Sequence, residues 1–281
     1  MNTILRGKTK EVAVSTEGPV IIIGECINPT RRKKLIASLQ EEKFDYVLEL
    51  AKNQIDAFAD VLDVNVGYPG VDDEKLLPET VIALEDNFDI PLCLDSPNPD
   101  AIKAALKVSK GKCLINSVNG EEKSLSVMLP IAKEYGAAII GLVMDENGIT
   151  YEPEKRVAIA EKIINRATNA GIPEEDIIID PMAMAVSADP RACIITLETI
   201  KLVRHKLKHN ITLGLSNISF GLPGREYLNS AFVALAIDAG LTCPIANPEK
   251  ITAIIRAIDL ILGRDDYAMR YIEAASIFKR N

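Results

Sequence analysis

The stretch Ile211-Thr212-Leu213-Gly214-Leu215-Ser216-Asn217 opens with the apolar character of a buried β-strand and ends on an amide side chain. Asn is a poor strand residue, and a buried Asn needs partners for its two donors and its acceptor. A single Asn of this kind would most simply cap the next helix or turn a loop. The same pattern recurs along the chain, however, which favours one shared structural position for all of these polar ends.

Four further apolar runs end on a carboxylate or an amide. They are Val61-Leu62-Asp63-Val64-Asn65, Pro91-Leu92-Cys93-Leu94-Asp95, Cys113-Leu114-Ile115-Asn116 and Ile177-Ile178-Ile179-Asp180. Their nearly continuous Val, Ile and Leu content is typical of parallel strands that are covered on both faces. The repetition therefore predicts a parallel sheet whose strands carry polar groups at their carboxyl ends.

Predicted strands and helices alternate from residue 20 onward. The strands cover about 20–24, 61–66, 91–95, 112–116, 138–143, 176–180, 211–216 and 242–246; the helices cover about 43–59, 78–87, 99–108, 122–135, 153–169, 190–208, 225–239 and 249–262. Eight successive strand–helix units predict an α/β fold, a single (β/α)8 TIM barrel with a core of about 20–262. An open doubly wound sheet fits less well, because no GxGxxG motif follows the first strand.

The two ends of the chain lie outside this repeat. The amphipathic segment Asp265 to Lys279 predicts an extra C-terminal helix packed outside the barrel. About 20 residues precede the first strand, and Met1 to Ser15 are mixed polar and charged. No linker or low-complexity tract divides the sequence, so we expect residues 1–281 to form one domain.

Composition narrows the classes of partner. The net charge of -8 and the absence of Trp argue against nucleic-acid binding, which normally needs a basic face or stacking platforms. An odd number of cysteines, five, without a CxxC motif indicates neither a disulfide framework nor a zinc site, and this favours a reducing cytoplasm. No apolar run has the length of a signal-peptide core or a membrane helix. We therefore expect a cytoplasmic protein with no nucleic-acid and no membrane partner.

The active site of a (β/α)8 barrel lies at the carboxyl ends of its strands. The residues expected there are Asp63, Asn65, Asp95, Asn116, Asp180, Gly214, Ser216 and Asn217, with Glu25 after the first strand. Carboxylates and amides without Lys or Arg suit a neutral, flat, donor-rich heterocycle better than a phosphate. A Mg²⁺ site is the chemical alternative. We expect no metal, because amides contribute to the set and the run Asp72-Asp73-Glu74 is interpreted as a solvated acidic loop.

Five motifs, in their order along the chain, resemble the pterin-binding barrel of methyltetrahydrofolate:corrinoid (iron–sulfur) protein methyltransferases. The same barrel occurs in cobalamin-dependent methionine synthase. The motifs are Asp63-Val64-Asn65-Val66-Gly67, Leu94-Asp95-Ser96, Ile115-Asn116-Ser117, Asp180-Pro181 and Gly214-Leu215-Ser216-Asn217-Ile218-Ser219-Phe220-Gly221-Leu222-Pro223. The resemblance covers roughly residues 20 to 262.

The resemblance implies a role for each matching residue. Asp95, Asn116 and Asp180 are expected to hydrogen-bond the pterin ring, in a site that also contains Gly214 and Ser216. Asn217 is expected to reach N5 of the ring and to be the catalytic residue. Asp63, Asn65 and Glu25 are expected in supporting positions.

The activity implied is the transfer of a methyl group between N5 of tetrahydrofolate and the cobalt of a corrinoid protein. Tetrahydrofolate or 5-methyltetrahydrofolate is then the substrate. The cobalamin is expected on a partner protein, because no Asp-x-His-x-x-Gly motif is present in this chain. The direction of transfer stays open. A homodimer, formed through helices on the outer wall of the barrel, is also expected.

Two alternatives from other functional classes stay open. One is a metal-dependent or Schiff-base lyase or aldolase on the same barrel, although neither a suitable Lys nor a His/Glu cluster occurs at the strand ends. The other is a non-catalytic folate-binding module, which would not need Asn217. Dihydropteroate synthase chemistry is excluded, since Asp180 is followed by Pro181-Met182-Ala183-Met184 instead of a glycine-rich phosphate loop.

Two local features complete the sequence analysis. The first-strand motif is Gly24-Glu25-Cys26-Ile27-Asn28, whereas the family that it resembles commonly has Arg at the position of Cys26. The two histidines of the chain, His205 and His209, lie in a basic stretch that we interpret as an exposed helix end. No histidine is therefore expected at the active site.

Overall fold

The computed structural model describes residues 1–278 and confirms the (β/α)8 barrel. An antiparallel hairpin comes first, and eight parallel strands follow in one sheet. The strands are β1 (Asn2–Arg6), β2 (Glu11–Ser15), β3 (Ile23–Ile27), β4 (Val61–Val64), β5 (Leu92–Asp95), β6 (Leu114–Asn119), β7 (Ala138–Leu142), β8 (Ile177–Asp180), β9 (Asn210–Ile211) and β10 (Ile245–Ala246). Strand β10 lies beside β3, and β3 to β9 follow in chain order, as a barrel requires.

The barrel closes between its two shortest strands. Backbone N–H groups of Thr242 and Cys243 each donate to the carbonyl of Ile211 at 3.0 Å, and Ile245 donates to Leu213 at 2.9 Å. Strands β9 and β10 contain only two residues each. The residues that flank them therefore continue the hydrogen bonding of the sheet. Few backbone groups are left unpaired at the seam, which is what a buried parallel sheet requires.

Helices cover the outer wall of the barrel, and two short ones follow the last barrel helix. They are α1 (Lys33–Gln40), α2 (Asp45–Asp56), α3 (Asp73–Asn87), α4 (Pro99–Val108), α5 (Glu122–Tyr135), α6 (Pro153–Asn169), α7 (Ala192–Leu202), α8 (Arg225–Ala239), α9 (Pro248–Ile261), α10 (Met269–Glu273) and α11 (Ala275–Phe278). The sequence did not predict α1. Within the part of the chain that the structure describes, no helix is long and apolar enough to cross a membrane.

The interpretation of Asp72-Asp73-Glu74 as a solvated loop was wrong, because these acids begin α3. The Asp72 side chain caps the helix by accepting a hydrogen bond from the backbone N–H of Lys75 at 3.2 Å. Asp73 accepts hydrogen bonds from the Ser96 hydroxyl at 2.8 Å and from the Asn98 amide at 2.9 Å. The acidic run thus joins α3 to the loop that follows β5.

The predicted C-terminal helix is present but broken. A 3₁₀ turn over Asp266–Ala268 precedes α10 and α11, and Lys279 of the predicted segment lies outside the described residues. The break has a physical cause, because the Asp265 carboxylate accepts hydrogen bonds from the backbone N–H groups of Arg270 and Tyr271 at 3.0 and 2.9 Å. Asp265 thereby satisfies the N-terminus of a new helix in place of a continuous one.

The hairpin of β1 and β2 plugs the amino-terminal end of the barrel, and the sequence analysis left it without structure. Side chains alternate along both strands, so Leu5, Val12 and Val14 are buried against the inward-facing residues of the barrel strands. Asn210, at the start of β9, donates hydrogen bonds to the Thr3 hydroxyl at 3.0 Å and to the Val14 carbonyl at 2.8 Å. The hairpin is therefore part of the core of the protein.

The prediction of an exposed histidine pair was wrong for His209. A π-helical turn over Val203–Leu207 follows α7, and Lys208 then adopts a left-handed conformation with φ of 59°. This turn directs the chain inward, so His209 is only 1% exposed, and its Nδ1 lies 2.8 Å from the Leu207 carbonyl oxygen. His205 remains exposed, as expected. Both residues lie away from the carboxyl ends of the strands.

The plug makes a prediction about stability. We expect Leu5→Ala to lower the free energy of unfolding by about 2–5 kcal/mol, because Leu5 is fully buried in the barrel interior. Ile4→Ala is the matched control, since Ile4 points outward from the same strand and is 36% exposed; its cost should stay below about 1 kcal/mol. Urea unfolding followed by circular dichroism measures both. Equal costs for the two variants would contradict the plug.

Candidate functional site

A cavity of about 520 Å³ opens at the carboxyl ends of the parallel strands. Its walls are formed by Glu25, Asn28, Thr30, Arg31, Arg32, Asp63, Asp95, Asn116, Asp180, Gly214, Ser216, Asn217, Phe220, Arg225 and Ile245. Of the residues that the sequence placed at this end of the barrel, only Asn65 lies outside this lining. Its amide Nδ2 donates to Asp95 Oδ2 at 2.8 Å, so Asn65 fixes the position of Asp95 without lining the cavity itself.

Two carboxylate–amide pairs form the floor of the cavity. Asp95 lies beside Asn116 in the register of β5 and β6. Both residues bond to side chains at the end of β4. Asn116 Nδ2 donates to Asp63 Oδ1 at 3.1 Å, and Asp95 accepts from Asn65, which directly follows β4. Asn65 is fixed in turn, because its carbonyl oxygen accepts from the backbone N–H of Gly67 at 2.8 Å. The crossed pairs hold four polar side chains in fixed positions on three adjacent strand ends.

Burial changes the charge of this floor. Asp63 is only 3% exposed, and loss of solvation together with the neighbouring charge of Asp95 raises its pKa to about 8. Burial also raises the pKa of Asp95. At neutral pH the pair therefore holds a proton, and the floor carries less than two negative charges. The oxygen Asp95 Oδ1 and the Asn116 carbonyl oxygen accept from no residue among 1–278, so both are available to a ligand.

Asp180 presents a third carboxylate from the end of β8. Its Oδ1 accepts a hydrogen bond from the backbone N–H of Met182 at 2.7 Å. Burial raises the pKa of Asp180 to about 7, although the Met182 N–H and the positive charge of Arg156 act in the opposite direction. A ligand edge with two N–H donors would match the ionised form, because a carboxylate accepts such a pair in a bidentate arrangement.

Arg156 holds the loop that follows Asp180, and sequence reasoning missed it. It comes from α6 and is fully buried. Its guanidinium donates to three backbone carbonyls: Nε to Thr150 at 2.8 Å, and Nη1 to Pro181 at 2.7 Å and Met182 at 3.1 Å. An Arg on the apolar face of a predicted helix was the available signal, because such a residue is buried only with partners.

Asn217 lies in a turn instead of in a strand. The chain leaves β9 and forms a 3₁₀ turn over Leu215–Ser219, which places the Asn217 side chain at the cavity wall. Arg225 fixes this turn by donating to the Ser216 carbonyl at 2.6 Å and to the Ser219 hydroxyl at 3.0 Å. No residue among 1–278 hydrogen-bonds the exposed Asn217 amide. The amide is therefore free to bind a ligand or to reorient.

Glu25 belongs to β3, and its side chain contacts this turn. The Ser216 hydroxyl donates to Glu25 Oε2 at 3.3 Å, and burial raises the pKa of the carboxyl despite the positive charges of Arg225 and Arg32. Glu25 therefore contributes a group that gains a proton more readily than a solvated carboxylate does.

The strand ends contain no cation, as the sequence indicated, but the loops above them add three arginines. Arg31 and Arg32 follow β3, and the Arg31 guanidinium lies 4.9 Å from the centre of the Phe220 ring. Arg225 begins α8. The run Arg31-Arg32-Lys33-Lys34 directly after the first strand was the sequence signal for two of them.

The walls favour hydrogen bonding to a neutral ring. Within residues 1–278, no three His, Cys, Asp or Glu side chains are grouped so that they could hold a metal ion. No lysine of the described chain lines the cavity. What the cavity offers is acceptors on its floor, a free amide at one side and arginines at its mouth.

Comparison with known proteins identifies a family and several relatives. The family model described as pterin binding enzyme matches residues 24–247. The chain is 32% identical to a methionine synthase of Mycobacterium tuberculosis over 94% of its own length, and 30% identical to the methylcorrinoid:tetrahydrofolate methyltransferase of Eubacterium limosum over 91%. It spans 96% of the Eubacterium protein, but only about a quarter, 25%, of the mycobacterial one.

Solved structures agree on the fold. A dihydropteroate synthase from Yersinia pestis, solved with a pterine-sulfa conjugate, matches with a TM-score of 0.72 at 17% identity, covering 93% of this chain and 99% of that one. The enzyme from Clostridium difficile, solved in the presence of pteroic acid, matches with a TM-score of 0.67 at 20% identity, over 88% and 98%. At such identities the likeness shows the barrel alone.

Because the Asp180 carboxyl is buried, we expect it to lower the stability of the folded protein as the pH rises. A carboxyl whose pKa is raised from 3.8 to about 7 by folding stabilises the protein below pH 4, and this contribution is lost as the pH rises to 7. Asp180→Asn removes the charge and keeps an acceptor for the Met182 N–H. We expect the ligand-free variant to be more stable than the wild type at pH 8, by roughly 1–4 kcal/mol, and nearly equal at pH 4. Thermal unfolding at both pH values measures this difference, and a less stable variant at pH 8 would contradict it.

Proposed function

Because this chain belongs to the pterin-binding enzyme family, within the group that includes the Eubacterium methyltransferase, we propose that it moves a methyl group between tetrahydrofolate and a corrinoid. The group travels between N5 of the folate and the cobalt of a corrinoid that a partner protein carries. The observation that carries this proposal is the combination, in one cavity, of three acceptors for a pterin ring with one unpaired amide. The acceptors are Asp95, Asn116 and Asp180, and the amide is Asn217.

The floor of the cavity fits the edge of a pterin. That edge presents an amino group and a ring N–H side by side, which is the donor pair that a buried carboxylate accepts. We assign this pair to Asp180, and further ring donors to Asp95 and the Asn116 carbonyl. Gly214 and Ser216 lie beside the ring, and Asp63, Asn65 and Glu25 support these contacts.

Asn217 is the residue that we assign to catalysis. A methyl group on N5 leaves poorly unless the nitrogen gains a proton or a hydrogen bond, because departure would otherwise create a nitrogen anion. The Asn217 amide can both donate and accept, and it is free to turn toward N5. Stabilising the protonated nitrogen more in the transition state than in the ground state is what accelerates the step.

The corrinoid partner would approach the open mouth of the barrel. Neither His205 nor His209 lies at the cavity, so this chain supplies no histidine that could bind a cobalt there. Apolar side chains are exposed around the mouth, among them Phe220 at 50% and Tyr227 at 77%. Such groups suit a transient protein contact that covers the cavity and excludes water.

The two alternative functions make different demands on the cavity. A Schiff-base aldolase needs a lysine, and none lines the cavity in the described part of the chain. A pure folate-binding module would bind the pterin without any use for a free amide beside N5. Methyl transfer therefore accounts for more of the observed groups than either alternative.

The free cysteines support a cytoplasmic location, which we propose on this ground. Cys26, Cys93, Cys113 and Cys243 are buried, Cys193 is partly buried, and all five are unpaired thiols. Unpaired cysteines are typical of a reducing compartment.

The activity is tested with 5-methyltetrahydrofolate and reduced cobalamin, whose change of absorbance reports the transfer. Asn217→Ala should lower the rate about 100-fold or more, in line with the loss of one preorganised hydrogen-bond donor. The control is Cys243→Ser, because this buried thiol precedes β10 in the barrel interior, donates to the Ile211 carbonyl at 3.5 Å and does not line the cavity. Its rate should stay within a few-fold of the wild type. An active Asn217 variant beside an inactive Cys243 variant would require a thiol mechanism instead.

A homodimer is the second part of the proposal. The segment from the end of α9 to α10 exposes a patch of large apolar side chains, in which Ile261 is 82% and Tyr267 94% exposed, and Met269 and Ile272 are also exposed. This patch lies on the outer wall and leaves the barrel mouth free, because a barrel helix ends at the amino-terminal side of the strands. A patch of this kind marks an interface.

The patch gives a direct test of the oligomeric state. Light scattering at micromolar concentration should report a dimer for the wild type and a monomer for Ile261→Lys, because the charge would be buried at the interface. The control is Leu235→Lys, which adds the same charge at another exposed position on α8. A monomeric wild type would contradict the dimer.

A further inference from the structure

The three arginines at the mouth of the cavity stand outside the ion pairs found among residues 1–278. The sequence has a net charge of -8, and six of the eleven arginines among residues 1–278 pair with a carboxylate. Arg31, Arg32 and Arg225 form no ion pair with any carboxylate among residues 1–278. Three unpaired guanidinium groups on one rim of an acidic protein indicate an anion from outside the chain.

The arginines come from two parts of the cavity wall, the loop after β3 and the first turn of α8. Arg31 and Arg32 belong to the loop between β3 and α1, and the Arg31 guanidinium rests against the Phe220 ring from the loop after β9. This cation–π contact orients Arg31 without neutralising it. Arg225 uses two of its donors on the turn that carries Asn217, and it keeps its charge.

We propose that this arginine rim binds the carboxylates of the folate's glutamyl tail, and that the protein prefers folates with several glutamates. This inference rests on the proposed function, which places the pterin ring on the strand ends. A pterin held there by Asp95, Asn116 and Asp180 must direct its tail toward the mouth, where the rim lies. Guanidinium groups bind carboxylates in a bidentate arrangement, and each added glutamate brings one more carboxylate.

The net charge at the rim supports this assignment. Glu25 is the acidic side chain of the cavity wall that faces Arg32 and Arg225, but it forms no ion pair with either of them, and its Oε2 accepts from the Ser216 hydroxyl. The floor carboxylates lie deeper, at the strand ends, and Asp63 there holds a proton at neutral pH. The rim therefore keeps a positive charge beside an acidic floor. This arrangement separates the neutral pterin from the anionic tail.

The test compares ligands that differ only in the tail. Calorimetry should be performed with 5-methyltetrahydropteroate, which has no glutamate, and with 5-methyltetrahydrofolate carrying one and three glutamates. We expect the triglutamate to bind the wild type at least about tenfold more tightly than the pteroate. In the double variant Arg31→Gln, Arg32→Gln this gain should largely disappear, while the affinity for the pteroate stays within about twofold. Retained pteroate binding also shows that the variant is folded.

The control separates a local contact from the overall charge. Arg264 is another arginine without an ion pair, and it follows α9 at the opposite end of the barrel. Arg264→Gln should keep the full preference for the triglutamate. Arg225 is not used in the test, because its loss would also disturb the turn of Asn217.

The outcomes distinguish the two proposals. If none of the three ligands binds, the proposed function fails. If all three bind equally to the wild type, the pterin site stands and the arginine rim does not bind the tail. If the double variant keeps the full preference for the triglutamate, Arg31 and Arg32 do not bind the tail and this inference is overturned.

Discussion

Burying three carboxylates at the carboxyl ends of strands β4, β5 and β8 is the constraint on which the site depends. A carboxylate taken out of water is costly unless it is paired, hydrogen-bonded or protonated. Each of the three is treated differently here: Asp63 holds a proton, Asp95 accepts from Asn65, and Asp180 is compensated by Arg156 and the Met182 N–H. The acceptors that a pterin ring requires are thereby present before any ligand arrives. Hydrogen bonds from the ring to these carboxylates would then offset part of the free energy that their loss of solvation costs.

The rest of the barrel keeps these groups in place. Arg156 reaches from α6 to the loop after β8, and Arg225 reaches from the first turn of α8 back to the turn of Asn217. Both arginines hold backbone carbonyls, which fixes the loops without adding a side chain to the floor. The turn that carries Asn217 and the loop that follows Asp180 are therefore held by different helices. A change in one loop can alter chemistry or binding separately, a division that suits barrels in which loops vary on a constant scaffold.

The sequence predicted those parts of the structure that depend on short-range pattern. Continuous apolar runs identified the parallel strands, and polar residues at their ends identified the floor of the cavity. The sequence placed the Asn217 amide at the cavity, whose wall it lines. It did not predict that Asn217 lies in a turn, because that turn depends on the closure of β9 against β10. The hairpin was missed because its alternating strands are short and polar outside. Arg156 and His209 were missed for a related reason. Their burial depends on neighbours from distant parts of the chain, which local composition does not reveal.

The plug at the base of the barrel has a consequence for how the protein is made. Thr3 bonds to Asn210 and to Glu175, so the first strand of the chain has partners 207 and 172 residues away. The hairpin is synthesised before the barrel strands, and its docking site is complete only after most of the barrel has been synthesised. Contacts of such sequence separation form late, because loop closure must come before them. Until then β1 and β2 can pair only with each other, and the apolar face that they present to the barrel stays exposed in the nascent chain.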